Sequence, residues 1–537
     1  MAKPKTPNQK RKYGELNKRL AKYVMLVESI YEDLNLEAAK IVGITDFTID
    51  RPFMWSDYPQ TRKRIRDLQE RFVEDIGAVI YSGTSEEWKN SNEVQDLLAN
   101  KVLQTYGATI GKEKYEILYQ PNNDALKAFQ QRKDKGFTIS DKLWNQSTLY
   151  KQELEEAISC AIQKGTSAII LSKQISKYLL DFPQLQKDYK ERFGKASRAM
   201  DCEYRSIRLV ASEINMAYRQ AENLRWQQMD FVVGYEIKLS NNHTCNGKPF
   251  QDICDILAGK YPKDFQWTGW HPLCRCYKIP ILKTEEEFWE WDGRSEATTA
   301  SVNEVKDVPD AFKKWVLDNQ ERISTAKKRN TLPYFLRDNK SVYQKITVES
   351  SISEIVKRAS SVGDEVQSTA ERIAIKNGGY VTPINFKSTT SITRKVITEG
   401  ITPYDIKDAV RTTIIVPKSR IEDVLEELYK TEGFLRLKRQ KPESFMGYSG
   451  NIVNIRTTNG LTAEIQVNTE RMIFAKERPE DAKRILGKKR WEEIHNETGM
   501  EGGLGHKYYE QWRILDKSSN EALKIVEKSI EYYSHFR

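Results

Sequence analysis

Apolar residues recur three and four positions apart through most of the chain from about residue 10 to residue 230. The stretches LNKRLAKYVMLVESIYEDL and YRSIRLVASEINMAYRQAENLRWQQM both show this spacing, with charged residues between the apolar ones. A period close to that of the α-helix places the apolar side chains along one helical face. The pattern therefore predicts a mainly α-helical N-terminal domain of long helices.

The pattern changes after these helices. Residues 234–282 hold short β-like runs, glycines, prolines and a group of cysteines, and a charged, then Ser/Thr-rich stretch follows them. Strand-like runs alternate with helices toward the C-terminus. We predict a multidomain protein: a helical domain with a small Cys-rich, β-containing subdomain in 1–282, a linker with short helices in 283–340, and an α+β domain with a mixed sheet and flanking helices in 341–537.

The third region carries the clearest local signals. Ser419 and Glu422 form a Ser-x-x-Glu capping box at the start of an apolar stripe, which predicts a helix. Further on, Asn459-Gly460 predicts a tight turn between two strands. The second of these strands alternates polar and apolar residues, so its polar side chains share one face of the sheet. The pattern leaves open whether that face binds a ligand or only contacts solvent. Its polar residues are Glu464, Gln466 and Asn468.

Composition and charge exclude some classes of protein. Lysine and arginine exceed aspartate and glutamate by 86 to 76 over 537 residues, a mild bias that permits contact with a polyanion such as DNA. No apolar run approaches the roughly 20 residues that a membrane-spanning helix needs. The start, MAKPKTPNQKRKYGEL, is basic but lacks the apolar segment of a secretory signal. We therefore expect no membrane span and a cytoplasmic origin.

Four of the six cysteines fall between residues 245 and 276. Cys245, Cys254, His271 and Cys274 would supply four ligands to a tetrahedral Zn²⁺, since the His-x-x-Cys spacing lets two ligands curl onto one ion. Cys276 is left out of this set because alternate residues of an extended strand stand about 7 Å apart. The alternative is that the cysteines stay reduced and pack as small apolar residues, or that pairs of them oxidise.

Three segments in order resemble the Mu F-like minor head, or head morphogenesis, family of tailed phages. They are ASEINMAYRQAE, HTCNGKPFQDICDILAGKYP and WHPLCRC, and the signature occupies 205–282. The resemblance implies a phage or prophage head protein that acts in capsid assembly or DNA ejection. Its partners would be portal and capsid proteins and phage DNA. It would reside in the bacterial host cytoplasm during assembly and then in the virion, at the head interior or the portal vertex.

Four segments of the third region resemble the RelA/SpoT-type nucleotidyltransferase, or alarmone synthetase, domain. They are FKSTTSITRK, DAVRTTIIV, GYSGNIVNI and AEIQVNT. The resemblance implies that the domain transfers pyrophosphate from ATP to the 3′-hydroxyl of a guanosine nucleotide, with Mg²⁺ held by an aspartate and a glutamate. Such transfer depends mostly on positioning and charge neutralisation. An active domain of this kind would act as an effector or toxin in the host.

The resemblance also implies roles for individual residues. Asp408 would be the Mg²⁺ ligand, with Asp405 the alternative, and Glu464 would be the second carboxylate, acting on the attacking hydroxyl. Tyr448 would stack on the acceptor base. The cations that would neutralise ATP phosphates are Lys387, Arg394, Lys395 and Arg411, and the further nucleotide-binding positions are Ser391, Gln466, Asn468 and His506.

The chain departs from the family pattern at three positions. Ser449 stands where the family has Arg, Ile452 where it has His, and Asn468 where it has Arg. None of the five histidines is followed by Asp, so the metal motif of the companion alarmone hydrolase is absent. Two hypotheses remain: a head protein that carries an active nucleotide-modifying domain, and a purely structural virion protein whose C-terminal domain is catalytically inert.

Overall fold

The computed structural model describes residues 6–537 apart from 44–46, 48–49, 108, 163–165, 241–243, 246–247, 290–299 and 442–444. The chain divides into two compact units, Met1–Tyr343 and Gln344–Arg537. Within the described part, no helix is both long enough and apolar enough to cross a membrane.

Helices dominate the first unit, as the sequence predicts. The long helices α1, α2, α5 and α8 pack around a core that contains Tyr31, Phe72 and Tyr150, and the rings of Phe72 and Tyr150 stack with centroids 5.3 Å apart. The first eight helices are α1 (Gln9–Val42), α2 (Arg62–Tyr106), α3 (Lys112–Leu118), α4 (Asn123–Gln131), α5 (Ile139–Ala161), α6 (Ala168–Leu180), α7 (Phe182–Phe193) and α8 (Cys202–Gln228).

A small β-containing region follows α8. Its three-stranded antiparallel sheet has the order β4-β1-β5, and β2 and β3 form a separate pair. The elements are β1 (Val232–Lys238), β2 (Thr244–Cys245), β3 (Lys248–Pro249), α9 (Ile253–Leu257), β4 (Gly259–Tyr261), β5 (Tyr277–Leu282) and α10 (Glu285–Trp289).

The segment predicted as a linker packs onto this region. The ring of Phe335 lies 5.1 Å from that of Trp270, and the ring of Phe312 lies 5.4 Å from that of Phe265. The first compact unit extends to Tyr343, so residues 300–343 belong to it together with the helices and the β-containing region. The polar composition of this segment suggested a linker, but its aromatic residues Phe312 and Phe335 pack against Phe265 and Trp270 of the β-containing region. Its helices are α11 (Asp310–Asp318), α12 (Gln320–Lys328) and α13 (Tyr334–Arg337).

The second unit is built on a mixed sheet, which confirms the predicted sheet type. The strand order is β6-β8-β11-β10-β9, with β7 also pairing with β8. Strands β8 and β11 run parallel, and the other pairs are antiparallel. The strands are β6 (Tyr380–Val381), β7 (Asn385–Phe386), β8 (Val410–Ile415), β9 (Phe434–Gln440), β10 (Gly450–Arg456) and β11 (Thr462–Asn468).

One face of this sheet is apolar and carries the core of the unit. Ile414, Val453 and Ile465 are fully buried there, among residues of α15 and α17. The predicted helix at 419–428 is α17, but Arg420 rather than Ser419 precedes its first turn and no side chain caps it. The helices are α14 (Lys340–Ser361), α15 (Gly363–Lys376), α16 (Thr389–Glu399), α17 (Ile421–Tyr429), α18 (Glu470–Lys476), α19 (Pro479–Leu486), α20 (Lys488–Thr498), α21 (Leu504–Arg513) and α22 (Asn520–Ser534).

Candidate active site

A row of polar residues crosses the other face of the large sheet. Glu464 of β11 pairs with Arg411 of β8 on one side and with Asn454 of β10 on the other, and Asn454 pairs in turn with Arg436 of β9. Paired residues of neighbouring strands point to the same side of a sheet. The strand alternation that the sequence shows for β11 therefore extends over four strands, and it brings a carboxylate between two arginines.

Glu464 is oriented by its neighbours on the same strand face. Gln466 Nε2 donates a hydrogen bond to Glu464 Oε1 at 2.6 Å, and Gln466 Oε1 accepts one from Lys476 Nζ at 2.7 Å. These two hydrogen bonds orient the Glu464 carboxylate, because the Gln466 amide that contacts it is itself held by Lys476. In the same face, Arg436 Nε donates to Asn454 Oδ1 at 2.7 Å.

Asp408 lies between two lysines just before β8. Its Oδ2 is 2.5 Å from Lys387 Nζ and its Oδ1 is 3.1 Å from Lys395 Nζ. Burial by itself raises the pKa of Asp408, but the two lysines outweigh it and hold the pKa below the usual range of an aspartate. Lys387 follows β7, and Lys395 lies on α16, so the site depends on two elements that flank β8. The structure thus brings together Asp408 and two of the lysines that the family resemblance assigns to ATP phosphates, while those roles stay predictions.

The pH dependence of stability follows from these contacts. Because its folded-state pKa is lowered, ionised Asp408 stabilises the folded protein fully above the ordinary aspartate pKa of about 3.9, and the stabilisation is lost as the pH falls through the lowered pKa. Asp408→Asn is therefore expected to lower the free energy of unfolding at neutral pH, by an amount that shrinks below about pH 4. Urea midpoints of both proteins across this range test the expectation, and a pH-independent difference would contradict it.

The contacts distinguish Asp408 from Asp405. Asp405 is occupied in capping a short 3-10 helix, since its Oδ2 accepts hydrogen bonds from the backbone N of Thr402 at 3.0 Å and from its hydroxyl at 2.8 Å. The segment leading to Asp408 instead approaches the polar row, because Asn454 Nδ2 lies 3.4 Å from the carbonyl oxygen of Lys407. Asp408 is thus the carboxylate whose segment contacts the polar row, while its own oxygens contact Lys387 and Lys395.

The other predicted nucleotide-binding residues on this helix are placed differently from Lys395. Ser391 belongs to the N-terminal cap of α16, where Ser388 Oγ accepts a hydrogen bond from the backbone N of Ser391 at 3.2 Å and donates to its hydroxyl at 2.9 Å. Arg394 is exposed and borders a shallow surface depression with neighbouring threonines of the helix. The structure therefore groups Lys395, but not Arg394, with the Asp408 carboxylate.

Tyr448 and Asn468 contact each other at the end of the polar face. The Asn468 side-chain amide and the Tyr448 hydroxyl form a hydrogen bond with Nδ2 and Oη 2.9 Å apart, and the Tyr448 ring packs edge-on against Tyr533 at 5.7 Å. Lys476 Nζ lies 5.7 Å from the centre of the same ring. A role for Tyr448 in stacking on a base stays a prediction, and its ring is oriented by these three neighbours.

A charged pair, Lys476 and Glu477, borders the polar row, and it was not identified from the sequence. Lys476 Nζ lies 3.1 Å from Glu477 Oε1. Burial raises the pKa of Glu477, but Lys476, Arg411 and His506 lower it more strongly, so the pKa of this carboxyl is held below its usual range. His506 Nε2 also accepts a hydrogen bond from Arg478 Nε at 3.2 Å. The Lys-Glu pair at the C-terminal end of α18 has no sequence signal of its own, because only the fold brings Lys476 beside Gln466 of β11.

A separate cluster of cysteines and a histidine lies in the first unit. Cys254 Sγ is 3.2 Å from His271 Nε2 and 3.8 Å from Cys274 Sγ, so three of the four residues predicted as zinc ligands come together. The side chain of the fourth, Cys245, lies outside the described part of the structure. Cys276, which the set predicted from sequence left out, is buried two residues beyond Cys274, but it is not among the three residues whose ligand atoms lie within 4.8 Å of one another. Residues 274–276 do not form a strand, so the separation expected in a strand does not apply to Cys274 and Cys276.

Comparison with known proteins links part of this chain to one toxin. No protein-family model matches the chain. A stretch of 181 residues, 34% of this chain, is 36% identical to the (p)ppApp synthetase toxin Tas1 of Pseudomonas aeruginosa (strain UCBPP-PA14). The chain spans 41% of the length of that relative.

Two solved structures are also similar to part of the chain. The complex between the Type VI effector Tas1 and its immunity protein matches at 36% identity over 35% of this chain and 97% of that chain, with a TM-score of 0.33. The small alarmone synthetase 1 from Bacillus subtilis matches at 16% identity over 34% of this chain and 92% of that chain, with a TM-score of 0.23.

The sequence relationship and the motif-bearing sheet agree on one feature. Part of the chain is similar in sequence to a (p)ppApp synthetase toxin, in line with the RelA/SpoT-like domain that the sequence predicts. None of these matches bears on the predicted phage head protein, which stays a prediction.

Proposed function

We propose that the second unit is a toxin domain that transfers a pyrophosphoryl group from ATP to the ribose 3′-hydroxyl of a purine nucleotide. The observation that carries the proposal is the polar face of the sheet, where Glu464 lies between Arg411 and Asn454 and next to the segment that bears Asp408. Two carboxylates beside several cations suit phosphoryl-type transfer, which needs positioning and charge neutralisation above all. The 36% identity to a (p)ppApp synthetase supports the same reaction.

The acceptor is best assigned as an adenosine nucleotide. The family resemblance alone led us to expect a guanosine nucleotide, but the relative at 36% identity is named for (p)ppApp, an adenosine product. The residues that replace the family pattern here, Ser449, Ile452 and Asn468, lie in or beside β10 and β11, at the end of the face where an acceptor base would bind. A guanosine acceptor is the alternative that the test below distinguishes.

The residues of the polar face have separable tasks in this reaction. Glu464, oriented by Gln466, accepts the proton of the ribose 3′-hydroxyl. The hydroxyl oxygen of the acceptor then attacks the β-phosphorus of ATP. The bond between the β-phosphorus and the oxygen that bridges it to the α-phosphorus breaks, and AMP leaves with that electron pair. Lys387, Lys395 and Arg411 offset the negative charge of the phosphates.

The donor set fits a bound Mg²⁺. Asp408 and Glu464 offer the carboxylate oxygens that this ion prefers, and Asp408 is ionised between its two lysines. When bound with ATP, the ion would neutralise phosphate oxygens and polarise the reacting phosphoryl group. Lys387 and Lys395, which balance the charge of Asp408 in this structure, would then be available to the phosphates.

The first unit carries a second part of the proposal. Its Mu F-like signature supports a phage minor head protein that assembles with portal and capsid proteins in the host cytoplasm and then resides in the virion. In this arrangement the second unit is the effector of a head protein. Because the solved Tas1 structure is a complex with an immunity protein, we include a dedicated neutralising protein among the expected partners of the second unit.

An acceptor screen on the full chain tests the proposed reaction. The purified protein is incubated with ATP, Mg²⁺ and one of AMP, ADP, GDP or GTP, and the products are identified by mass spectrometry. We expect AMP as one product and an adenosine nucleotide with a 3′-diphosphate as the other, with no product when Mg²⁺ is chelated. Transfer to guanosine nucleotides alone would overturn the acceptor assignment. If folded protein transfers pyrophosphate to none of these acceptors, the alternative hypothesis of a catalytically inert structural domain is correct.

A further inference from the structure

We propose that Cys254, His271 and Cys274, whose ligand atoms lie within 4.8 Å of one another, bind a tetrahedral Zn²⁺ in the β-containing region of the first unit, with the buried Cys276 as the fourth ligand. Three thiolates and one imidazole are a common ligand set for structural zinc. The site is independent of the nucleotide chemistry of the second unit. It differs from the set expected from sequence in one ligand, since Cys276 replaces Cys245.

The distances between the ligand atoms fit a shared metal ion. Zinc-sulfur bonds of about 2.3 Å arranged as a tetrahedron leave sulfur atoms about 3.8 Å apart. Cys254 Sγ and Cys274 Sγ are separated by 3.8 Å, and His271 Nε2 lies 3.2 Å from Cys254 Sγ. A disulfide requires about 2.05 Å between sulfurs, so Cys254 and Cys274 are not oxidised to each other. All three cysteines of the set are buried.

His271 is oriented as a metal ligand. Its Nδ1 lies 2.7 Å from the carbonyl oxygen of Pro272, and a hydrogen bond there fixes the proton on Nδ1. The lone pair of Nε2 is then directed into the cluster, toward Cys254 Sγ. Zinc-bound histidines usually donate their other ring N–H to a carbonyl or a carboxylate in this way. The carboxylate of Asp252, 3.3 Å from Nε2, lies at the edge of the same cluster.

The backbone between the ligands is folded to converge on one point. Leu273 adopts a positive φ of 60°, and the backbone N of Cys274 donates to the carbonyl oxygen of His271 at 3.2 Å, so the chain forms a tight turn from His271 to Cys274. A non-glycine residue at positive φ costs free energy that the surroundings must offset. A metal bound at both ends of the turn would offset it. Cys276 follows this turn and precedes β5.

The charge balance of the region also calls for an anionic group. Arg219 is 1% exposed, and its guanidinium donates to the carbonyl oxygens of Thr268, Cys274 and Cys276 at 2.9, 2.7 and 2.8 Å. Among the described residues, no salt bridge joins Arg219 to a carboxylate. A buried charge without a counter-charge is costly. Three thiolates and a neutral imidazole around Zn²⁺ carry one net negative charge, which the guanidinium beside Cys274 and Cys276 would balance.

Thiol labelling of the wild-type full chain tests the ligand set without any substitution. The protein is purified without chelator, its zinc content is measured, and it is alkylated with and without a strong zinc chelator before peptide mapping. We expect one zinc per chain, and chelation should expose Cys254, Cys274 and Cys276 to the reagent while leaving the labelling of Cys245 and Cys160 unchanged. Zinc below a tenth of an equivalent, or chelator-dependent labelling of Cys245 in place of Cys276, would overturn the proposal.

Substitutions give a second, independent readout. Cys276→Ser is expected to lose most of the bound zinc and to weaken the visible absorption of the Co²⁺-loaded protein, which reports on tetrahedral sulfur coordination. Cys245→Ser and Cys160→Ser are the matched controls and should keep a full equivalent. If Cys276→Ser retains zinc and an unchanged Co²⁺ spectrum, Cys276 is not a ligand. If Cys276→Ser does not fold, the wild-type labelling experiment decides the question alone.

Discussion

Glu464→Gln is expected to reduce pyrophosphate transfer about 10²- to 10⁴-fold, the range typical for loss of a general base. Glutamine has nearly the same shape, and its amide oxygen can still accept the hydrogen bond that Gln466 Nε2 donates to Glu464 Oε1. The substitution therefore removes the charge and the proton acceptor from the row between Arg411 and Asn454 without emptying the space. Initial rates with ATP, Mg²⁺ and the preferred acceptor measure the loss, and growth arrest on expression in bacteria should disappear with it.

The matched control is Glu432→Gln, the same change at an exposed position of the second unit. It should leave the transfer rate within about twofold of wild type, because surface substitutions away from a site seldom matter. Circular dichroism and thermal unfolding of Glu464→Gln should resemble those of wild type. If the rate or the toxicity of Glu464→Gln equals that of wild type, Glu464 is not the general base and the proposed reaction is wrong in its central step.

Arg219→Met is expected to destabilise the first unit by about 3 to 5 kcal/mol, the usual cost of breaking a buried charged network. The guanidinium satisfies three buried carbonyl oxygens, and methionine leaves them without that donor. Gly269 shows how closely the group is fitted, since a Cβ at that position would lie 2.8 Å from Arg219 Nη1. The lost hydrogen bonds would destabilise the segment that carries Cys274 and Cys276.

Tryptophan fluorescence during urea unfolding measures this effect, and one of its reporters is Trp267, whose ring centre lies 4.4 Å from the guanidinium carbon of Arg219. Arg275→Met is the matched control: it removes an exposed arginine from the same turn and should change the free energy of unfolding by less than about 0.5 kcal/mol. Equal effects of the two substitutions would show that the carbonyl hydrogen bonds of Arg219 do not hold the turn.

Local periodicity was sufficient to predict much of the second unit. The alternation of Glu464, Gln466 and Asn468 with apolar residues placed all three on one sheet face, and the structure shows them there. Side-chain direction in a strand depends only on position along the chain, so it can be read without the fold. Family resemblance, rather than periodicity, singled out Asp408, Lys387 and Lys395, but it did not predict that the two lysines pair with Asp408.

Contacts between distant segments were not predictable in this way. Asn454 and Arg436 join the polar row only because β10 and β9 pair beside β11, and Lys476 reaches Gln466 only because α18 returns to the sheet. Sequence composition also suggested a linker in 283–340, because burial of its few aromatic residues depends on Trp270 and Phe265 being within reach.

The cysteine cluster shows the same division most clearly. The sequence by itself identified Cys254, His271 and Cys274 as a group, since the short His-x-x-Cys spacing limits how far apart two ligands can lie. It excluded Cys276 on the assumption of an extended strand, whereas the chain turns at Leu273 with positive φ and stays irregular up to β5. Backbone conformation at those few residues is set by the buried guanidinium of Arg219, which binds the carbonyl oxygens of Cys274 and Cys276 from α8. Spacing along the chain bounds the distance between two side chains, but only tertiary contacts fix the direction in which each of them points.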